Sequence, residues 1–300
     1  MGIPNLRSGD VGPPRLLVGI SLLTGTALPS WSSGPRGDMA ALLKGAREAG
    51  YEAVQCRDAE AARKAGLVPT AIDRLDQPQD ARSCVIKCKA EGYNGLTVHA
   101  GTGFETDDEA CWLADAIVEA AEAEAFPVYL ETHRATMTQD MKRTLDLAAR
   151  VPGLRFNGDF AHWYTGCEMA YGDVGAKIAR LQPITGRTRF LHGRISGPGC
   201  IQIAVKQASS VDLDAFRRLW TASFEGFLRS SAPGDVFGFY PELLPPAYHY
   251  ARLVPGPDGN LQEESDRWQE AQVLVEIARE CWQRAKAAVE ASIPEVHHAW

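Results

Sequence analysis

The chain has 300 residues, of which 45% are hydrophobic and 23% are charged, and its formal net charge is −7. This composition is typical of a globular protein, and the length allows either two domains or one α/β barrel. Acidic and basic residues are interleaved, without the basic stripe of a nucleic-acid-binding protein. No apolar run approaches the ~20 residues of a membrane span. We therefore expect neither nucleic acid nor a membrane as a partner.

The cysteine pattern and the N-terminal segment bear on the compartment. Seven cysteines are scattered along the sequence, and Cys84 and Cys88 have no second pair at zinc-site spacing. Idle thiols are typical of a reducing compartment, so we expect a cytoplasmic protein. Residues 1–14 lack the apolar core of a signal peptide and are predicted to be a flexible lead-in.

Strand and helix patterns alternate along the rest of the chain. Strands are predicted over 15–21, 51–56, 67–74, 95–101, 127–133, 154–163, 188–196 and 235–244. Helices are predicted after them, over 38–50, 59–66, 79–92, 106–125, 139–151, 173–182, 212–229 and 264–288. Eight such repeats predict an α/β fold with a single (β/α)8 TIM barrel over 15–290, followed by a tail over 291–300. A doubly wound open sheet is the main alternative, but the first strand lacks the Gly-rich turn that such sheets often carry.

Four consecutive predicted strands end in a side chain that can bind a metal, namely Glu131, Asp159, His192 and Glu242. In a barrel the carboxyl ends of the strands meet at one mouth, where active sites are built. Each residue taken alone is more simply a polar side chain bonded to nearby backbone. Together, three carboxylates would repel one another, and a divalent cation is the natural counter-charge. The set predicts one divalent ion, Mn²⁺ first, with Mg²⁺, Co²⁺ or Zn²⁺ as alternatives.

Other polar and aromatic residues lie near the same strand ends. His133 follows Glu131 by two residues and therefore shares its strand face. It is interpreted either as a substrate contact or partner of a ligand, or as an ordinary hydrogen-bonded histidine. Four aromatic residues can stack on a sugar ring or belong to the core: Trp163, Tyr164, Tyr240 and Tyr248.

The order of these residues resembles the xylose isomerase-like TIM barrels, and among them the sugar isomerases and epimerases typified by tagatose 3-epimerase and hydroxypyruvate isomerase. The resemblance is carried by Glu131, Asp159-Phe-Ala-His162, His192 followed by Arg194, and Glu242. It implies a metal-dependent isomerase or epimerase that acts on a keto-sugar or related polyol through an enediolate. The metal ligands would be the four strand-end residues, and Glu131 and Glu242 would also exchange protons with the substrate. His162 and Arg194 would hold substrate oxygens, and His99, His133 and Trp163 are further candidates for substrate contacts.

Several features leave the substrate and reaction open. Arg194 follows His192 by two residues, whereas the arginine of the family usually lies several residues after the histidine. The loop SGPGCIQIAVKQ is also unlike that of a typical sugar epimerase. One alternative is a dehydratase or lyase on a keto-sugar, keto-glycoside or cyclitol, since the same enediolate can expel a β-substituent. Another is a non-catalytic barrel that acts as a binding protein. Endonuclease IV shares the fold, but further histidines of its metal site are missing and the chain is acidic, which argues against DNA repair. Whether the chain forms a homo-oligomer stays open.

Overall fold

A closed parallel barrel forms the centre of the molecule, for which a computed structural model describes residues 2–292. Within these residues the barrel strands are β1 (Arg15–Ser21), β2 (Ala53–Gln55), β3 (Val68–Leu75), β4 (Leu96–Ala100), β5 (Val128–Glu131), β6 (Phe156–Asn157), β7 (Thr188–Gly193) and β8 (Asp235–Pro241). Each strand pairs in parallel with the next. β8 also pairs in parallel with β1, which closes the barrel. The predicted single (β/α)8 barrel is confirmed.

The helices surround the barrel. They are α1 (Met39–Glu48), α2 (Ala59–Lys64), α3 (Ala81–Ala90), α4 (Asp107–Ala123), α5 (Met141–Arg150), α6 (Ala161–Gly166), α7 (Val174–Arg180), α8 (Gln182–Thr185), α9 (Ser210–Leu228) and α10 (Arg267–Ala291). Capping boxes begin the long helices α4 and α9, where Thr106 pairs with Glu109 and Ser209 with Asp212. These reciprocal bonds satisfy backbone N–H groups that the first turn leaves free. No helix within the described residues is both long enough and apolar enough to span a membrane.

Aromatic side chains fill the barrel interior where glycines make room for them. The rings of Phe190 and Tyr240 have centroids 4.4 Å apart. A Cβ atom at Gly19 would lie 2.4 Å from the Tyr240 ring, and one at Gly238 would lie 2.5 Å from Phe190. The bulky rings therefore require glycine at both positions, and Tyr240 belongs to the core.

The N-terminal segment is attached to the barrel, in contrast to the flexible lead-in predicted over 1–14. Leu6–Arg7 forms a short strand antiparallel to the start of β8, and Leu6 is 2% exposed. The backbone N–H of Leu6 donates to Tyr129 Oη at 2.8 Å, and Asn5 donates to Asp235 at 2.7 Å. At the other end of the chain, the part of the predicted tail from 293 to 300 lies outside the described residues.

The sixth predicted strand is wrong beyond Asn157. β6 comprises only Phe156–Asn157, and the chain then turns into α6. The Asp159 carboxylate accepts a hydrogen bond from the backbone N–H of Ala161 at 3.2 Å, which starts the helical turn. Asp159 therefore lies in the loop after β6, and His162 lies on a helix. Between β8 and α10, residues 256–260 join the two strands of a hairpin, Leu253–Pro255 and Leu261–Glu263.

Candidate metal centre at the barrel mouth

The four predicted metal ligands converge at the carboxyl ends of the strands. Glu131 is the last residue of β5, His192 lies in β7, Glu242 directly follows β8, and Asp159 comes two residues after β6. One oxygen or nitrogen atom of each lies within 4.8 Å of those of the other three, and all four residues are buried. The structure therefore brings the whole predicted set to one point.

Contacts among these side chains centre on one imidazole and one guanidinium. His192 Nδ1 lies 3.3 Å from Glu131 Oε2 and 3.6 Å from Glu242 Oε2. Arg194 Nη2 lies 2.5 Å from Glu242 Oε2 and 3.3 Å from Asp159 Oδ2. Three buried carboxylates thus face two groups that can carry positive charge. The imidazole and the guanidinium reduce the repulsion among the carboxylates.

The ionisation of the site follows from this crowding. Burial alone would raise the pKa of Glu131, but His99 and His192 hold it well below its ordinary value. Burial would likewise raise the pKa of Asp159, yet Arg194 and His162 lower it to about 2. For His192, burial favours the neutral form, but Glu242 and Glu131 raise its pKa to about 9. The two carboxylates are therefore anionic at neutral pH.

The residues present fit a divalent cation. Asp159 Oδ2 is buried and accepts no hydrogen bond from the described residues, although Arg194 lies within ion-pair distance. His192 turns Nδ1 towards the carboxylates, while Nε2 lies 3.1 Å from Gln55 Oε1. Ligating histidines are usually oriented in this way, with the second ring nitrogen bonded to an oxygen acceptor. Three carboxylates and one imidazole suit Mn²⁺, Mg²⁺ or Co²⁺, and also Zn²⁺.

Two amide side chains that the sequence did not single out support the site. Asn157 Oδ1 accepts from the backbone N–H of His192 at 3.1 Å, and its Nδ2 lies 3.4 Å from Glu131 Oε2. Gln55 contacts the opposite side of the His192 ring. Both amides are the last residues of their strands, β6 and β2. The position of both amides at strand ends is the same sequence signal that indicates the ligands.

Three histidines form a row beside the carboxylates. Ring centroids are 4.2 Å apart for His99 and His133, and 3.8 Å apart for His133 and His162. His99 Nε2 lies 3.1 Å from Glu131 Oε2, and His133 Nδ1 donates to the Arg134 carbonyl. Burial and the neighbouring His162 lower the pKa of His133 to about 3, so it is neutral. His99, Glu131 and His133 also form a second group of potential ligand atoms.

A cavity of about 460 Å³ opens beside the site, within the usual range of ~300–1,000 Å³ for ligand pockets. Glu131, Glu242, His99 and His133 line it. Two predicted substrate contacts, His162 and Arg194, are buried and do not line it. His162 instead lies 3.4 Å from Asp159 and packs against His133 and Tyr250, and Arg194 bonds Glu242. In this arrangement His162 supports Asp159 and Arg194 supports Glu242, both from positions outside the cavity.

Trp163, predicted to bind substrate, faces the core instead. Its side chain is 0% exposed, and its indole N–H donates to the Thr138 carbonyl at 2.7 Å. Tyr164 is also buried and donates to Asp212 at 2.6 Å. Because Trp163 lies on α6, its direction was not readable from the strand predicted there. The aromatic residues that do line the cavity are Tyr248 and Tyr250, and the sequence had singled out only Tyr248.

Solved structures show the same architecture. An L-ribulose 3-epimerase superposes with a TM-score of 0.56 at 13% identity, covering 95% of this chain and 100% of that one. A xylose isomerase-like TIM barrel protein from Mycobacterium smegmatis, in complex with magnesium, gives 0.51 at 11% identity, with 91% and 98% covered. The chain has the xylose isomerase-like barrel fold. The resemblance predicted from the sequence is thereby confirmed for the fold.

A third structure extends the comparison to another reaction. The probable 3-DHS dehydratase of Bacillus anthracis superposes with a TM-score of 0.52 at 14% identity, covering 76% of this chain and 93% of that one. No protein-family model matches the sequence, and no curated protein matches it. The reaction must therefore be inferred from the site itself.

Proposed function

We propose that this protein is a divalent-metal-dependent isomerase or epimerase that moves a proton next to the carbonyl of a keto-sugar or related polyol. The observation that carries the proposal is the placement of Glu131 and Glu242. Both belong to the convergent ligand set, and both line the same cavity, Glu131 from the end of β5 and Glu242 from directly after β8. Two carboxylates facing one substrate are what removal and return of a proton need.

The metal would be bound by Glu131, Asp159, His192 and Glu242. When bound, the divalent ion polarises the substrate carbonyl and makes the adjacent C–H more acidic. The preference for a metal follows from the ligand set, which is rich in carboxylate oxygens. We propose Mn²⁺ first, with Mg²⁺, Co²⁺ or Zn²⁺ as alternatives. The magnesium of the Mycobacterium smegmatis structure belongs to a barrel of the same fold and is compatible with this choice.

The two glutamates would carry the proton. In the described residues, the contacts of both carboxylates go to Oε2, which leaves Oε1 of each as the free oxygen. Glu131 is anionic at neutral pH and can take a proton from carbon. His99, 3.1 Å from Glu131, orients this carboxylate from the cavity side. Arg194 fixes Glu242 in the same way from within the barrel wall.

The outcome depends on where the proton returns. Delivery by the second glutamate to the opposite face of the same carbon gives an epimer, and delivery to the neighbouring carbon gives an isomer. A dehydratase or lyase is the alternative, because the same enediolate can expel a β-substituent from a keto-sugar, keto-glycoside or cyclitol. Similarity to the probable 3-DHS dehydratase favours keeping this alternative.

The test is proton exchange in D2O, followed by NMR, over keto-sugars, aldoses and cyclitol ketones. We expect the Mn²⁺-loaded protein to exchange the proton next to the carbonyl of at least one compound, and the metal-stripped protein to exchange none. Loss of water or of a substituent with exchange would select the lyase. Stoichiometric sugar binding without metal and without exchange would select the non-catalytic binding protein.

The location of the protein is a proposal as well. The seven cysteines, all within residues 2–292, form no disulfide and four of them are buried. Free thiols of this kind are stable in a reducing compartment, and we propose the cytoplasm.

A further inference from the structure

The wall of the cavity is divided into two chemically different parts. The polar part comes from β4, β5 and the end of β8, and it contains His99, Glu131, His133 and Glu242. The other part comes from the segments after β1, from β3 and from the loop after β8. It is mainly apolar and contains Leu22, Leu23, Met39, Ile72, Leu244 and Tyr248. The reacting end of a substrate belongs at the polar part, so the remainder must face the apolar part.

Several of these apolar side chains are exposed, which needs an explanation. Tyr248 is 48% exposed, Met39 41% and Ile72 38%, although Ile72 lies within a barrel strand. Large apolar side chains that are exposed together around a concave surface mark ligand grooves in many proteins. Their position beside the proposed catalytic carboxylates makes the substrate the natural occupant.

Apart from the Arg57 guanidinium and the Ser21 hydroxyl, the polar side chains in this part of the cavity are few and already hydrogen-bonded. Thr26 donates its hydroxyl hydrogen to the Leu23 carbonyl at 2.8 Å, and Gln55 bonds His192 at 3.1 Å. Hydroxyl groups of a plain sugar would lose water here and find few partners, which is unfavourable. An apolar substituent would instead gain by leaving water.

Arg57 and Tyr248 favour an aromatic substituent over an aliphatic one. Arg57 lines this part of the cavity, is exposed, and makes no ion pair or hydrogen bond with the described part of the chain. A guanidinium stacks on aromatic faces. Tyr248 offers a ring that prefers an aromatic neighbour, whereas the Tyr250 ring is already contacted by the Arg134 and Arg194 guanidinium groups.

We propose that the substrate is a keto-sugar or polyol that carries an aromatic ring, and that the ring lies between Ile72, Leu244 and Tyr248. This inference rests on the proposed function for the reacting end only. The ring-binding part is made by residues outside the ligand set. Plain ketohexoses are accordingly poor substrates.

Three glycosides of the same 3-keto-hexose, with phenyl, cyclohexyl or methyl as the aglycone, test this directly. The measurement is kcat/KM for exchange of the proton next to the carbonyl in D2O, with the full chain loaded with Mn²⁺. We expect the phenyl compound to exceed the methyl compound by at least ~10-fold, the lower end of discrimination by an apolar pocket. It should also exceed the cyclohexyl compound. Equal values for phenyl and methyl would overturn the inference.

Calorimetric binding separates this inference from the proposed function. If no glycoside exchanges but the phenyl compound binds at least ~10-fold more tightly than the methyl compound, the ring site stands and proton transfer fails. If no glycoside exchanges and the two bind equally, the ring site is overturned as well.

A matched pair of variants locates the ring. Ile72→Ser should reduce the phenyl-to-methyl ratio by at least ~3-fold, since it removes part of the apolar wall. Ile86→Ser is the control, because Ile86 is similarly exposed at 45% but lies on α3 away from the cavity. The control should keep the wild-type ratio. An unchanged ratio in Ile72→Ser, with normal thermal stability, would place the ring elsewhere and contradict the assignment.

Discussion

Arg194 holds Glu242 by two hydrogen bonds, one from Nη2 to the carboxylate Oε2 at 2.5 Å and one from Nε to the backbone carbonyl at 2.9 Å. The bond to the backbone anchors the guanidinium, so the bond to Oε2 holds the carboxylate in one direction. Asp159, 3.3 Å from the same guanidinium, shares this cation. Arg194 and a bound ion would therefore hold the same two carboxylates from different sides.

The glutamates are the first point to test. Glu131→Gln and Glu242→Gln each keep the shape and one oxygen ligand but remove the basic carboxylate. We expect each to lower turnover on the true substrate by at least ~10²-fold, the low end for general acid–base catalysis. Glu119→Gln, on the exposed face of α4, is the control and should leave turnover unchanged. If either site variant keeps near-normal turnover, that glutamate is only a ligand.

A substitution of His162 tests whether this residue supports Asp159 or binds the metal itself. It is buried on α6 with Nε2 3.4 Å from Asp159 Oδ2, so it limits the positions that this carboxylate can take. We expect His162→Ala to keep bound metal near the wild-type level, measured by atomic emission, and to lower turnover. Loss of the metal in this variant would move His162 into the ligand set.

The pH dependence of metal binding follows from His192. Despite burial, the carboxylates of Glu242 and Glu131 raise its pKa to about 9 in the metal-free protein. A ligating imidazole must be neutral, so a metal has to displace this proton at pH 7. We expect affinity to rise between pH 7 and 9 and to level off above about 9. Calorimetry in buffers of different ionisation enthalpy should detect proton release at pH 7, and equal heats in all buffers would count against it.

The position of Trp163 in the core can be tested by a substitution. Trp163→Phe removes the indole N–H that donates to the Thr138 carbonyl, which leaves this buried acceptor short of one donor. We expect the free energy of unfolding to fall by ~1–3 kcal/mol, measured by urea denaturation, with KM unchanged. A higher KM with unchanged stability would return Trp163 to the substrate site.

The barrel and most of the site could be predicted because they depend on local patterns. Glu131 and Glu242 each follow an apolar run, and the closure of a barrel brings such positions together. Asp159 is predictable although the strand predicted around it is too long, because only its place after an apolar run matters. The pairing of Arg194 with Glu242 was not predictable, since 48 positions separate them and the contact depends on side-chain direction. For Trp163 the sequence leaves open a substrate contact or a place in the core, and the choice depends on α6, which replaces the expected strand.

The short N-terminal strand has a practical consequence for handling the protein. Leu6 is buried at the end of the barrel opposite the cavity, beside the start of β8. Burying a leucine side chain stabilises a fold by roughly 1.5–3 kcal/mol, so shortening the gene to begin at Arg15 would sacrifice a stabilising contact. The cavity of the proposed active site opens at the carboxyl ends of the strands, away from Leu6. An affinity tag placed before Gly2 would accordingly leave the entrance to the cavity clear, whereas immobilisation through the loops after the strands would obstruct it.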